Sequence, residues 1–271
     1  MKYKIALCQI KVGMNKEENM NKAEAMIREA ASCAADVIAL PEMFMCPYSN
    51  KYFKKYSESE GGEIFNRLSD IAKELGIYLI AGTIPENDGE KIYNTCFAFD
   101  QEGNLIGKHR KVHLFDIDIK GAINFKESDT LESGDKSTVI DTKFGKIGIA
   151  ICYDMRFPEL IRKMTLEGAK LIVVPGAFNM TTGPAHWELT IRTRALDNQI
   201  YFAAVSPARD MRSAYQAFGN SGVANPWGVF SGKTDEKEGI VYSDIDLDYV
   251  DEIREQLPLL KHRREEVYND K

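Results

Sequence analysis

Two stretches of the chain set a residue able to transfer a proton or an acyl group where an apolar run stops, and a third sets a lysine at the end of a hairpin strand. In residues 145–160, Gly-Lys-Ile-Gly-Ile-Ala-Ile-Cys-Tyr-Asp-Met-Arg-Phe-Pro-Glu-Leu, the run ends on Cys152 and polar residues follow. Ile147, Ile149 and Ile151 alternate with Gly148 and Ala150 as in a strand packed on both faces, and Pro158 suits the first turn of a helix. Cys152 then lies at the strand's C-terminal end, the edge at which open α/β sheets bind ligands. A cysteine in such a run is by default a small buried hydrophobe. The polar and charged residues that follow turn the reading toward a nucleophile.

A thiol with an ordinary pKa of roughly 8.5 is mostly protonated at neutral pH, so it needs a base or a cation nearby. Val37-Ile38-Ala39-Leu40 stops at Pro41-Glu42-Met43-Phe44, which puts Glu42 at a second strand end. Apolar Leu40, Met43 and Phe44 would desolvate that carboxyl and raise its pKa toward neutrality, where it can serve as a general base. The third stretch, His-Arg-Lys-Val-His-Leu-Phe-Asp from His109, offers Lys111, which is either a surface charge or an ammonium facing an oxyanion. His109 and His113 flank it, either as structural histidines or as partners of Cys152 through the fold. A helix dipole adds little to the thiol, because Pro158 starts the next helix six residues downstream.

The elements that must place these residues are short and mixed. Strand-like runs cover residues 3–9, 36–40, 77–82, 147–151, 171–174 and 200–205. Asn15 can cap a helix with Glu18 reaching back and with Met20, Ala23, Ile27, Ala30 and Ala34 on one face. Ile64, Leu68, Ile71 and Leu75 mark a helix over 61–75 that stops at Gly76. Pro158 and Pro184 open two more, over 158–167 and 184–199, the second packing Trp187, Ile191 and Ala195 inward. Residues 93–99 and 104–111 flank Asp100-Gln101-Glu102-Gly103 as a hairpin, and 138–142 pairs with 146–151 around Gly145. This mixture predicts one α/β domain over residues 1–271, with a large mixed sheet or two stacked sheets and helices outside. A charged, partly helical tail from about residue 248, with Leu257-Pro258-Leu259-Leu260 as an apolar island, is placed to contact another subunit.

The 271 residues carry a formal charge of −6 and a pI near 5.4 with no long Lys/Arg block, which argues against a nucleic-acid partner. No apolar span of roughly 18 residues and no small-residue cleavage site follow the first strand, so the expectation is a cytoplasmic protein without a membrane partner. Cys8, Cys33, Cys46, Cys96 and Cys152 form an odd set without a CxxC pair, disfavouring both a disulfide framework and zinc. Cys8, Cys33 and Cys96 read as packing residues, and Cys46 falls in a loop. A Gly-rich phosphate loop is absent from the sequence, which disfavours nucleotide binding.

Together, the segments around Glu42, Lys111 and Cys152 resemble the nitrilase superfamily of carbon-nitrogen hydrolases. Pro-Gly-Ala-Phe-Asn-Met-Thr-Thr-Gly-Pro-Ala-His-Trp-Glu from Pro175 and Ala-Val-Ser-Pro-Ala-Arg-Asp from Ala204 resemble its omega-amidase branch. The resemblance implies a four-layer αββα sandwich of two mixed sheets with outer helices. It implies Glu42 as general base, Lys111 as the oxyanion-stabilising cation, Cys152 as nucleophile and the Tyr153 backbone N–H as an oxyanion donor. Glu127, in Phe-Lys-Glu-Ser, matches the second glutamate of the family, although its own chemistry reads as a solvated loop charge. No metal or organic cofactor is implied, and a homodimer is.

Arg156 resembles a position that receives a substrate carboxylate, a task suited to paired guanidinium hydrogen bonds, and otherwise reads as an ion pair with Asp154 or Glu159. Thr182 resembles a second carboxylate contact or a helix N-cap. Phe44, Tyr48 and Phe178 read as pocket wall or as ordinary core. The implied substrate is a small dicarboxylic monoamide such as 2-oxoglutaramate or 2-oxosuccinamate, hydrolysed to the oxo acid and ammonia through a cysteine thioester. Alternatives are an amidase for deaminated glutathione or an N-carbamoyl compound, and a catalytically silent interaction subunit. The sequence departs from the family pattern at Met43, where many members carry cysteine, and around residues 120–124, which bears on substrate preference.

Overall fold

A computed structural model describes residues 1–121 and 123–268. In chain order its elements are β1 (Lys2–Gln9), α1 (Lys16–Ser32), β2 (Val37–Ala39), α2 (Asn50–Tyr56), α3 (Glu63–Leu75), β3 (Tyr78–Ile80), β4 (Ile84–Asp88), β5 (Lys91–Phe99), β6 (Leu105–Arg110), β7 (Asp116–Ile119), β8 (Ile123–Lys126), β9 (Thr138–Thr142) and β10 (Gly145–Ile149). There follow α4 (Pro158–Leu166), β11 (Leu171–Pro175), α5 (Gly183–Asn198), β12 (Tyr201–Val205), β13 (Gly222–Ala224), β14 (Phe230–Lys233), β15 (Gly239–Asp246), α6 (Leu247–Gln256) and α7 (Glu265–Tyr268). One sheet has the order β15-β1-β2-β3-β5-β4 with β6 on β5, and the other runs β14-β13-β12-β11-β10-β9. Each is built around a parallel trio, β1-β2-β3 in the first and β10-β11-β12 in the second, with antiparallel strands outside.

Side-chain alternation sorts the layers. Ile5 and Leu7 of β1 join the core shared with the second sheet, whereas Ala6 and Cys8 face Met20, Ala23 and Ile27 of α1 and Leu68 and Ile71 of α3. Strand β6 rests on β9 and β1 on β12, while α5 packs on β12 and β13 with α4 alongside. Two apolar sheet faces meet, and each outer face is covered by helices. That is the expected αββα sandwich.

Local signals account for much of this. The Asn15 side chain accepts hydrogen bonds from the N–H groups of Glu17 and Glu18, and Gly76 closes α3 in the left-handed region at φ 63°. Other expectations need correction. Ala34 is exposed at φ 60°, beyond the end of α1, and Cys33 is an exposed helix cap rather than a packing residue. The tail is partly helical as expected, and its α6 packs Leu247, Val250 and Ile253 into the body. Residues 269–271 of the tail, and Ala122 within the divergent stretch, lie outside the described residues. Among the described residues no helix is long and apolar enough to cross a membrane.

Two glycines let backbone pass directly behind the site residues. A Cβ at Gly82, which sits at φ 57°, would fall 2.4 Å from the Pro41 carbonyl oxygen, just before Glu42. At Gly134 it would fall 2.2 Å from the Arg110 carbonyl oxygen, just before Lys111. Gly134 N–H also bonds the Lys111 carbonyl at 2.8 Å. Since the obstruction is backbone in both cases, the chain carrying the charged residue would have to shift. Gly134→Ala should therefore destabilise the fold by about 1–3 kcal/mol in urea titration, and Gly239→Ala, whose Cβ meets nothing within 4 Å, should stay within about 0.5 kcal/mol.

Candidate active site

The C-terminal ends of strands from both sheets converge. Glu42 follows β2, Lys111 follows β6, Cys152 follows β10 and Ala177 follows β11. Glu127 arrives separately, as the first residue of a single helical turn after the β7-β8 hairpin. The side chains of Glu42, Lys111 and Glu127 have no solvent exposure. Lys111 Nζ lies 2.9 Å from Glu42 Oε1 and 2.9 Å from Glu127 Oε1. The solvated loop charge expected of Glu127 on its chemistry alone is thus a buried ion-pair partner.

Tyr48 and Asn94 complete the polar cluster. The Tyr48 hydroxyl donates to Glu127 Oε1 and stands 3.2 Å from Glu42 Oε1, while Asn94 Nδ2 donates to Glu42 Oε1 at 2.8 Å. Glu127 Oε2 accepts the Phe115 N–H at 2.6 Å, so its carboxylate is held from both ends. Burial raises the Glu42 pKa and the Glu127 charge adds to the rise, against the opposing pull of Lys111. For Lys111, burial favours the neutral amine, but the two carboxylates outweigh it and push its pKa well above the usual range. The arrangement is an ammonium clamped between two carboxylates.

Cys152 is 5% exposed and adopts φ 45°, a conformation disfavoured for a side chain with a Cβ and costing of order 1–2 kcal/mol. It begins a single 3₁₀ turn, Cys152–Arg156, at the end of the strand. Its sulfur accepts the Ala177 N–H at 3.5 Å and interacts with the Glu42 carboxyl. Burial first and the Glu42 charge second push the thiol pKa well up, with Lys111 opposing. Ionising this thiol therefore requires its proton to pass to a neighbour.

The turn is held by Asp154. Its Oδ2 accepts the Ile151 N–H at 3.0 Å and lies 3.1 Å from His109 Nε2, while Oδ1 accepts the His113 N–H at 2.8 Å and lies 2.8 Å from His113 Nδ1. The histidines therefore serve as partners of Asp154 and make no hydrogen bond to Cys152.

Comparisons with known proteins identify the family. The family described as carbon-nitrogen hydrolase matches residues 4–255. The chain belongs to that family. It is 52% identical to "Omega-amidase NIT2" of Xenopus tropicalis over 99% of this chain and 97% of that one, and 50% identical to "Omega-amidase NIT2" of Homo sapiens over 98% and 96%. Among solved structures, Nit3 of Saccharomyces cerevisiae, described as a member of branch 10 of the nitrilase superfamily, superposes with a TM-score of 0.90 at 42% identity, covering 97% of each chain.

The remaining expected residues separate. Arg156 is not paired with Asp154 or Glu159. Its guanidinium lies 4.5 Å from the centre of the Phe178 ring, Nη1 is 3.0 Å from His186 Nδ1, and Nε is buried with no hydrogen-bond partner. Phe178 thus supports Arg156 and packs edge-on against Trp187. The Thr182 hydroxyl is 3.3 Å from Asn179 Oδ1 and makes no capping bond to α5, although Thr182 occupies the cap position. Phe44 is not pocket wall: it is fully buried in the core between the first sheet and α1 and α3. Tyr48 does line the cavity beside Glu42, together with Met43, Ala177 and Tyr215, whose ring stacks on Tyr48 with centroids 4.6 Å apart. The Tyr153 side chain packs against Phe115 and Phe157. Its amide is near the start of the 3₁₀ turn, where N–H groups lack helical partners.

Asn94, Asp154, His186 and Tyr215 carry much of this geometry, and none was assigned a site role from sequence. The one available signal was Asn94, an amide in the middle of a hairpin strand. Asp154 gives the clearest consequence. Burial would raise its pKa, but the hydrogen bonds from His109 and His113 outweigh this and hold it well below the usual carboxylate range. A depressed folded-state pKa contributes stability above the unfolded value and loses it as pH falls toward the folded one. Asp154→Ala should thus cost roughly 3 kcal/mol in urea unfolding at neutral pH, with the gap to the parent protein shrinking as pH falls below about pH 4.

Proposed function

We propose that the protein is an omega-amidase that hydrolyses the terminal amide of small dicarboxylic monoamides, 2-oxoglutaramate and 2-oxosuccinamate among them, through a thioester on Cys152. The observation that carries the reading is the buried Glu42-Lys111-Glu127 cluster adjoining a cysteine at a strand end. Identity near one half to proteins named omega-amidases supports the branch.

In this reading Glu42 takes the Cys152 thiol proton as sulfur attacks the amide carbon, which avoids forming a free buried thiolate. The oxyanion is met by the positive charge of Lys111 and by the Tyr153 N–H. Glu42 returns the proton to the nitrogen, the carbon–nitrogen bond breaks, and ammonia leaves. A water then attacks the thioester with Glu42 accepting its proton; the second tetrahedral intermediate expels sulfur, and Glu42 reprotonates it. Atoms balance as amide plus water giving carboxylic acid plus ammonia. Glu127 holds Lys111 and, as a neighbouring negative charge, keeps Glu42 basic. No metal or organic cofactor enters these steps.

Arg156 receives the far carboxylate of the substrate. Its half-buried guanidinium has an unsatisfied N–H and no carboxylate partner among the described residues, which supports an anion as its missing ligand. Thr182 is the second contact of this reading. The chain acts as one catalytic domain and as a homodimer; exposed Leu196 of α5, against Gly228 of the turn bearing exposed Trp227 and Val229, supports an apolar contact between copies. Five free cysteines suit a reducing, cytoplasmic setting.

The test is ammonia release from a panel of ω-monoamides, neutral amides, deaminated glutathione and N-carbamoyl compounds. The ω-monoamides should have the highest kcat/KM. Arg156→Ala should lower kcat/KM for them about a hundredfold while changing neutral amides by less than about threefold. Equal losses on both classes, or a preference for the other substrates, would overturn the assignment.

A further inference from the structure

The two oxygens of the Glu42 carboxylate are not equivalent. Oε1 accepts from Lys111 Nζ at 2.9 Å and from Asn94 Nδ2 at 2.8 Å, while Oε2 is buried with no hydrogen-bond partner. Tyr48 does not equalise them, since its hydroxyl also lies on the Oε1 side at 3.2 Å and its single proton is directed to Glu127. A terminal carboxylate torsion is broad and roughly two-fold, so one donor alone leaves either oxygen free to serve it. Two donors from different directions fix the plane.

We propose that Asn94 is a positioning residue that anchors Oε1 and thereby makes Oε2 the atom through which Glu42 takes up and returns protons. The inference rests on the reading of Glu42 as the general base. Asn94 is suited to the task because it holds both halves of the pair: its side chain bonds Glu42, and its backbone carbonyl accepts the Lys111 N–H at 2.9 Å. It is fully buried within β5, between Tyr93 and Thr95, so its position is set by the sheet rather than by a loop. Its own Oδ1 is buried without a partner. The donation from Nδ2 fixes the amide's orientation, because the reverse would set two acceptors against each other at Glu42. A stability loss retained in the interior in this way is explained by the orientation it secures for Glu42.

The titratable groups facing Glu42 are Lys111, Glu127, Tyr48, Tyr215 and Cys152. Removing a donor to the ionised carboxylate raises its pKa, and adding a negative charge does the same. The experiment compares Asn94→Leu, Asn94→Asp and Glu42→Gln with the parent enzyme by pH-dependent kinetics on the best ω-monoamide, with circular dichroism as the check on folding. Asn94→Asp preserves shape and backbone contacts and decides the matter if the leucine variant does not fold.

The expected result is a fall in plateau kcat of about tenfold or more, KM within about twofold, and an acid limb of kcat/KM moved up by about one pH unit. A role confined to stability would lower the folded fraction without moving that limb. A folded Asn94 variant with an unmoved acid limb and kcat within about twofold would overturn the proposal while leaving the base assignment intact if Glu42→Gln is inactive. Retained turnover in Glu42→Gln would instead overturn the reading on which it rests.

Discussion

A single ammonium held between two buried carboxylates is the constraint on which the rest depends. At about 4 Å and an effective dielectric near 20, each such attraction is worth about 4 kcal/mol, the same order as the several kcal/mol lost by each ion on leaving water. Neither term dominates, so the group is favourable only while every member is present and hydrogen-bonded. Lys111 satisfies both acids, Phe115 and Tyr48 complete Glu127, and Asn94 steadies Glu42. With all three ionised the cluster keeps one excess negative charge. That excess is a reason for Glu42 to accept a proton readily and for Lys111 not to give one up.

The fold assembles this cluster from distant chain by stacking two sheets so that their strand ends meet. Glu42 and Lys111 belong to the first sheet and Cys152 to the second. Glycine at 82 and 134 allows backbone to run close behind two of them. The Cys152 turn is tied by Asp154 to the histidines on either side of Lys111, so one carboxylate registers the cysteine against the lysine-bearing segment. Histidines that resemble candidate catalytic bases in the sequence do their work here as donors to a structural acid.

Legibility in the sequence followed the strength of local pattern. Glu42 and Cys152 stood out because apolar runs stop at them, and β1 to β3 and β10 to β12 were readable from the same runs. The β13 and β14 strands were not, since Gly222 and Gly232 interrupt any alternation, and the Ile240-Val241-Tyr242 run of β15 follows a charged loop that masks it. Glu127 had no local signal at all: its burial is created by the β7-β8 hairpin folding it under Lys111, a long-range event. Resemblance to a family supplied what patterning lacked for that residue. Phe44 shows the opposite failure, an aromatic beside a site residue whose side chain points into the core on the other face of the sheet.

The central claim is that sulfur at position 152 becomes covalently acylated during turnover. Rapid acid quenching of the enzyme with an ω-monoamide, followed by peptide mass spectrometry, addresses it directly. The account predicts an acyl mass on the peptide containing Cys152, absent from Cys152→Ala and discharged by water on standing. Full turnover by Cys152→Ala, or an acyl group found only on Cys46 or Cys33, would contradict it.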